Sequence, residues 1–518
     1  MASTHVSSRK VVIVGAGPVG CLAAIALANL GWNVDVYEAR PDLRLPSSKA
    51  AAQQRSINLA ISSRGIAALQ AVDQAAAARF LETVIPMRGR MIHDVQGNQH
   101  SQLYDKDGQV GNYIPHSGRL LNFCINSIDR ALLNEGLLEE ASAVPNIRLF
   151  FKHKVLSVDF DNRNMVLRDI DSESDVRIDF HFCIGADGSY SVIRRQLMRV
   201  VRMDFQQEYI PHEYIELKMP AGQDEHGKPT FLLDPNHLHI WPRHSFMLIA
   251  LPNKDKTFTS TLFAPTIEFD RLISPETILS WFKAHFPDAL ALLGEDKLLE
   301  DFQKNPRSPL VSTKSKPYHY KDRCVILGDA AHSMVPFYGQ GLNCGLEDVR
   351  VLRTLFQDEG VTATYPLAEL GINGIVDQPL FAALARYSES RHDDLVAISE
   401  LAMDNYIEMR HSVTTPAYIF RKTLDNILFT LTSRNSTSSP FVRQALSRIP
   451  FPSTDPSGWL PLYTMVTFRP DISYATAKKK AARQTAIIST VGQFGAAMLG
   501  ASGVYLTLRA SSWLRSRR

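Results

Sequence analysis

The chain has 518 residues, too long for one ordinary core, so two or three domains are expected. A formal net charge of +3 and the absence of a K/R-rich run inside the folded part argue against a nucleic-acid partner. Five cysteines (Cys21, Cys124, Cys183, Cys324 and Cys344), an odd number without C-x-x-C spacing, read as buried reduced thiols and offer no zinc site.

The first nine residues lack an apolar core and leave no room for a secretory or cleaved matrix-targeting segment. Val11, Val12, Ile13 and Val14 then read as a buried strand. Gly15-Ala-Gly17-Pro-Val19-Gly20 turns directly into an Ala-rich helix, and a second strand, Asn33–Tyr37, ends at Glu38. This is a βαβ unit carrying G-x-G-x-x-G. Gly15 permits the tight turn, Gly17 lets the backbone approach a pyrophosphate, and Gly20 lets helix and strand pack closely. The helix N-terminus offers free N–H groups to the anion, and Glu38 is placed to accept from a ribose hydroxyl. The fingerprint alone does not distinguish NAD(P) from FAD.

A short strand near Ser56–Ser62 leads into a helix over the Ala-rich segment 66–80. Met87–Asp94 alternates as a strand, with Arg88 and Arg90 expected on one face. Tyr104 follows in a polar hairpin, and Arg119–Glu140 reads as a helix beginning near Ser117. Strands are expected at Ile147–Phe151, Lys154–Phe160, Asn164–Arg168 and Asp175–Phe182. The last runs into Gly185-Ala-Asp187-Gly188 and a Ser-capped basic helix, which is either a device for a second nucleotide segment or a common turn.

Residues 199–315 change character. Alternating segments at His212–Met219, Thr230–Leu233, His237–Pro242, Ser245–Leu251 and Thr257–Ala264, separated by turn signals, predict a largely antiparallel sheet inserted into the first domain, with helices over 276–304. Asp322–Leu327 is another buried strand, followed by Gly328-Asp329. The loop Pro336–Asn343 (PFYGQGLN) opens a helix, and a long helix spans roughly Phe381–Met409.

The βαβ unit, the Asp187-Gly188 turn and Gly328-Asp329 occur in the order and spacing of the group A flavoprotein monooxygenases, which the chain resembles over about residues 9–470. Val36–Arg40, Ser56–Ser62, Met87–His93, Pro336–Asn343, Asn405–Arg410 and Pro461–Phe468 resemble the branch that hydroxylates L-kynurenine at ring position 3 rather than phenol or benzoate hydroxylases. Leu342 stands where Met is commoner. The resemblance implies an α/β fold: a Rossmann-like FAD-binding domain in three parts (1–85, 118–198, 316–375), with substrate-domain strands at 86–117 and an inserted β-sheet domain at 199–315. A C-terminal helical region (376–475) and a tail anchor (476–518) follow.

It also implies bound FAD, with NADPH and O2 as co-substrates and no catalytic nucleophile or metal. For FAD it assigns Gly15, Gly17, Val19, Gly20, Glu38, Arg40, Ala60, Arg119, Leu156, Asp329, Gly341, Leu342 and Asn343. For the substrate it assigns Arg90, Tyr104, Asn405, Met409 and Tyr463, an Arg–Tyr pair being suited to an amino-acid carboxylate. Arg88 rivals Arg90 in that role, and Met409 and Tyr463 read equally as core. No second nucleotide domain for NADPH is evident. Another aromatic hydroxylase on the same scaffold and a non-catalytic membrane-tethered flavoprotein are the rival functions.

From Gln484 to Leu508 there is no charged residue. Lys478, Lys479, Lys480 and Arg483 precede the run, and Arg509, Arg515, Arg517 and Arg518 follow it. At about 1.5 Å per residue a helix of this length crosses a bilayer core of about 30 Å. A tail anchor in the mitochondrial outer membrane, with the catalytic part facing the cytosol, is therefore expected. Oligomeric state stays open, a homodimer included.

Overall fold

The computed structural model describes residues 6–48, 58–104, 124–366, 376–410, 413, 415–432, 458–490 and 493. Lys10–Val14 is central in a six-stranded sheet because its apolar side chains are buried on both faces; Val11, Val12 and Ile13 have no exposed surface. Strand order is His319–Tyr320, Cys324–Ile326, Phe182–Gly185, Lys10–Val14, Asn33–Tyr37 and Ile147–Phe150. All pairs are parallel except the first. A parallel sheet must be covered on both faces, and the helix Pro18–Ala28, buried from Gly20 onward, supplies part of that cover.

The inserted sheet has seven strands. Their order is Ser308–Lys316, Asp204–Met219, Phe258–Pro265, Phe246–Pro252, His237–Arg243, Gly89–His93 and Gln99–Leu103. Only the pairing of His237–Arg243 with Gly89–His93 is parallel. Side chains alternate between two cores, as a period of two requires. Ile240, Met247 and Phe263 join the core shared with the nucleotide domain. Their neighbours Trp241, Leu248 and Leu262 pack under the helices Pro275–His285, Pro287–Leu293 and Glu295–Lys304.

Four local expectations are corrected. Met87–Asp94 is not one strand: Ile85–Met87 belongs to a three-stranded sheet with Asn58–Ile61 and Ile125–Asp129, while Gly89–His93 belongs to the seven-stranded sheet. Arg88 is the crossing point. Its N–H donates to the Asn236 carbonyl at 2.7 Å and its own carbonyl accepts from Tyr104 N at 3.0 Å, so Arg88 is exposed while Arg90 is buried. Within 119–140, the residues Ile125–Asp129 form a strand and the helix is Arg130–Ala143, because the Asp129 carboxylate caps it by accepting from Ala131 and Leu132 N–H. Asp175–Phe182 splits into Ser174–Asp179, in a separate three-stranded meander, and Phe182–Gly185. Of Thr230–Leu233 only Thr230 pairs as strand, in the two-residue strand Pro229–Thr230.

The Gly341–Asp358 helix and the 33-residue helix Gln378–Arg410 form as expected. The latter packs Leu380, Leu384 and Tyr387 in the core at one end and carries Asn405 and Met409, both buried, at the other. Helix covers 474–490. Most of the Gln484–Leu508 run lies outside the described residues, and among those described no helix is long and apolar enough to cross a membrane.

Candidate active site

The fingerprint loop is shaped by close approaches. Gly15 has φ +102°, and a Cβ there would lie 2.4 Å from Ala186 O; a Cβ on Gly20 would lie 2.0 Å from Gly15 O. Gly17 differs, since a Cβ added to it meets nothing within 4 Å. It faces open space at the N-terminus of Pro18–Ala28, where a pyrophosphate would lie. The Val19 side chain fills the gap to the Gly328 turn and to Gly345, where an added Cβ would meet it at 3.2 and 2.7 Å. The first glycine loop, the Gly328-Asp329 turn and the Gly341–Asp358 helix are thereby locked together. Asp329 stays exposed on its turn, free to meet hydroxyl groups.

Glu38 is buried and accepts from Ala16 N and Arg40 N, both at 2.9 Å, and from the Arg40 guanidinium at 2.9 and 3.2 Å. Burial pushes its carboxyl up, but the Arg40 bonds and the Ala16 N–H outweigh it and hold it below the usual carboxylate range. The Arg40 side chain is 62% exposed. Leu156, at a bulge in His153–Asp159, is exposed near the adenosine end, since His153 N–H bonds Glu38 O. Asp187 acts as a cap: it accepts from Ser191 Oγ at 2.6 Å and from Val192 N at 2.7 Å.

At the other end of the groove, Gly341, Leu342 and Asn343 form the first turn of their helix, whose N–H groups lack intrahelical acceptors. The Asn343 side chain is fully buried. Its Oδ1 accepts from Ser62 N at 2.8 Å, and its Nδ2 donates to Ala60 O at 2.8 Å and Gly339 O at 2.7 Å. The open Gly17, the exposed Asp329 and the unpaired first turn at Gly341–Asn343 fit the pyrophosphate, ribityl and ring ends of FAD in order. Arg119 lies outside the described residues.

Arg90, Tyr104, Tyr463, Asn405 and Met409 gather beside this end. The Arg90 guanidinium sits 4.6 Å from the Tyr463 ring centroid, and Tyr463 stacks on Tyr104 at 5.2 Å and on Tyr338 at 5.7 Å. Asn405 Nδ2 donates to Phe337 O at 2.7 Å and lies 3.0 Å from Met409 Sδ, tying the long helix to the Pro336–Tyr338 turn. Arg90 Nε and Tyr104 OH are buried without a hydrogen-bond partner. The Tyr104 hydroxyl neighbours both Arg90 and Tyr463, so a guanidinium and a phenol converge there as a donor pair suited to a ligand with acceptor oxygens. Burial, followed by the neighbouring Tyr463, raises the Tyr104 hydroxyl well above its ordinary value and keeps it a donor.

Glu408 and Tyr418 belong to this cluster and escaped the sequence reading. Glu408 Oε1 lies 3.5 Å from Arg90 Nη1 and accepts from Tyr418 OH at 2.9 Å. Glu408 lies inside the Asn405–Arg410 stretch, next to Met409, which was its only signal.

Beneath the flavin end lies a buried charge network. Asp348 accepts from Gly328 N at 3.0 Å, His332 Nε2 at 2.5 Å and Arg391 Nε at 2.9 Å. Glu347 pairs with Arg391 at 2.9 Å and Arg64 at 3.0 Å. His332, Cys344 and Asp348 are grouped closely enough to hold a metal, but Arg391 Nη2 stands 3.4 Å from Cys344 Sγ and already supplies the positive charge there.

Fold and site together define an FAD-dependent oxygenase architecture, and the FAD binding domain family matches residues 8–358. The chain is 44% identical to a kynurenine 3-monooxygenase of Cryptococcus neoformans var. neoformans serotype D, covering 98% of this chain and 99% of that protein. It is 42% identical to that of Candida albicans, over the whole of both chains, and 39% identical to that of Saccharomyces cerevisiae, covering 96% and 98%. The chain belongs to the kynurenine 3-monooxygenase family. Among solved structures, the tetrameric form of 2-methyl-3-hydroxypyridine-5-carboxylic acid oxygenase shares the fold with TM-score 0.56 at 17% identity, covering 80% of this chain and 95% of that one. Pseudomonas aeruginosa PqsL with 2-aminobenzoylacetate does so with TM-score 0.58 at 17% identity, covering 78% and 97%.

Proposed function

We propose that this protein converts L-kynurenine to 3-hydroxy-L-kynurenine, consuming NADPH, a proton and O2 and releasing NADP+ and water. The observation that carries the reading is the buried donor pair of Arg90 and Tyr104, gathered around the Tyr463 ring. Bound FAD supplies the reduction by NADPH and the activation of O2. The chain binds, orients and excludes water. Arg90 and Tyr104 take the amino-acid carboxylate, and Glu408 faces the ammonium group. Tyr338, Tyr463 and Met409 wall the aromatic ring, with Asn405 holding the turn beneath it. The Gly341–Asn343 N–H groups, at the start of their helix, would hold the ring end of FAD and favour negative charge there.

Purified protein should be yellow, and should oxidise NADPH with formation of 3-hydroxykynurenine. Under anaerobic conditions kynurenine should speed the bleaching of the flavin by NADPH. A colourless protein, or oxidation of NADPH indifferent to kynurenine, rejects the assignment.

We infer further that Gln484–Leu508 anchors the protein in the mitochondrial outer membrane, with the catalytic part facing the cytosol. The support is the uncharged run with basic residues on both flanks. Deletion after residue 475 should move the protein to the soluble fraction; an unchanged membrane-bound share rejects the anchor.

A further inference from the structure

Arg64 faces neither the flavin groove nor the substrate cluster, yet its guanidinium is bound to both of their supports. It is 1% exposed, in the first turn of the helix Ser63–Val72. Its Nε donates to Val466 O at 2.5 Å, and its Nη2 donates to Met465 O at 3.2 Å and to Ile472 O. Its Nη1 donates to Glu347 Oε1 at 3.0 Å, and the Tyr474 ring lies over it at 4.0 Å.

Met465 and Val466 lie toward the C-terminus of the helix Leu462–Phe468, where carbonyls lack intrahelical donors and the helix dipole is negative. A cation placed there caps the helix. That helix carries Tyr463, the ring stacked between Tyr104 and Tyr338 with Arg90 against it. On the other side, Ser62, two residues before Arg64, is held by Asn343, and Glu347 lies one turn beyond Asn343 on the same helix. One guanidinium thus ties the wall of the substrate pocket to the helix whose first turn faces the flavin.

We propose that Arg64 is a positioning residue for hydroxylation: it clamps the Leu462–Phe468 helix, and with it Tyr463, at a set distance from the first turn of Gly341–Asp358. This rests on the kynurenine hydroxylase reading given above. When the substrate ring is presented correctly, one O2 oxygen enters the product and the other leaves as water at the expense of NADPH. When it is not, the same NADPH, proton and O2 yield NADP+ and hydrogen peroxide, and the ring is untouched. The clamp therefore governs coupling. Lysine does not replace it, because one ammonium cannot span three carbonyls and a carboxylate in the arrangement the planar fork provides.

The test compares wild-type holoenzyme with Arg64→Lys and Arg64→Met. Both variants should retain bound FAD by their visible spectrum. The KM for kynurenine should rise, on the order of tenfold, because the wall carrying Tyr463 loses its fixed position, and peroxide should become the main fate of NADPH. Lysine should restore part of the coupling lost with methionine. Where methionine prevents accumulation of a yellow protein, the lysine variant decides. Unchanged KM and coupling with only a lower melting temperature would overturn the proposal, leaving Arg64 a plain core contact. Hydrogen exchange separates this from failure of the functional reading. If wild type ignores kynurenine, the reading falls, but amides of 462–472 should still exchange faster in Arg64→Lys than in wild type. Equal exchange rejects the clamp.

Discussion

Asn343 closes on Ser62 across the flavin groove, its Oδ1 accepting from the Ser62 N–H at 2.8 Å while its Nδ2 holds the Ala60 and Gly339 carbonyls. Gly65 leaves room for this, since a Cβ there would stand 2.5 Å from Asn343 Oδ1. Asn343→Ala leaves one buried N–H and two carbonyls without partners, a loss of roughly 3 kcal/mol or more. Asn343→Asp keeps the bond from Ser62 but cannot donate to either carbonyl. Both variants should purify with little flavin absorbance per chain and a lower denaturation midpoint, alanine more so than aspartate.

The two glycines of the fingerprint should separate packing from ligand approach. Gly20→Ala forces a Cβ to 2.0 Å from the Gly15 carbonyl, and the βαβ unit must open to admit it. At Gly17 an added Cβ meets nothing within 4 Å. Gly20→Ala should therefore destabilise the apoprotein. Gly17→Val should leave the apoprotein's melting temperature near wild type and weaken FAD by at least about tenfold through lost backbone approach. Flavin titration of the apoproteins, alongside thermal unfolding, distinguishes the two.

Loops whose backbones must adopt a special shape were legible: Gly15–Gly20, Gly328-Asp329 and the Pro336–Asn343 turn each need glycine where the chain bends or another chain approaches. The seven-stranded sheet was legible in its alternation. What failed was local and was decided by distant partners. The strand at Ile125–Asp129 resembled a helix because Ile125 and Ile128 share helical spacing, but it is sandwiched between Asn58–Ile61 and Ile85–Met87. Arg88 and Arg90 were expected on one strand face because nothing near them reveals that the chain changes sheets between them. Arg64 gave no signal either, since its partners Glu347, Met465, Val466 and Ile472 lie hundreds of residues away in sequence.

That change of sheet sharpens the choice between the two arginines. Arg90 is 6% exposed with an unmet Nε, whereas Arg88 is exposed and donates its backbone N–H to Asn236. Arg90→Met should raise the KM for kynurenine by roughly one to two orders of magnitude, as loss of a charge-assisted pair with a carboxylate implies, with bound FAD unchanged. Arg88→Met should change KM less than about twofold, within the small effects usual for exposed sites. Steady-state kinetics with matched flavin content checks both, and equal effects would remove the assignment to Arg90.

A chain of histidines behind the substrate sheet sets an acid limit on stability. His93 Nε2 lies 2.9 Å from His239 Nδ1, and His239 Nε2 lies 2.8 Å from the Asp234 carbonyl. A carbonyl only accepts, so His239 Nε2 carries its hydrogen, and Nδ1 of a neutral His239 faces His93. Burial lowers the His239 pKa to about 4, with His93 and His237 adding to the effect and the Asp234 carbonyl and carboxylate opposing it. Asp288, 3.3 Å from His93 Nδ1 and 2.7 Å from Trp241 Nε1, completes the surroundings. In the unfolded chain a histidine titrates near 6.5. As pH falls from about 6.5 to about 4, the unfolded chain takes up a proton that the folded one refuses, and the folded state loses roughly 3 kcal/mol. Above pH 6.5 His239 is neutral in both states and contributes no slope. His239→Gln keeps a donor for Asp234 O but cannot titrate. Urea denaturation from pH 8 to 4.5 should therefore show a shallower acid decline for His239→Gln than for wild type, with the two converging above pH 7. Parallel declines would place the acid sensitivity elsewhere.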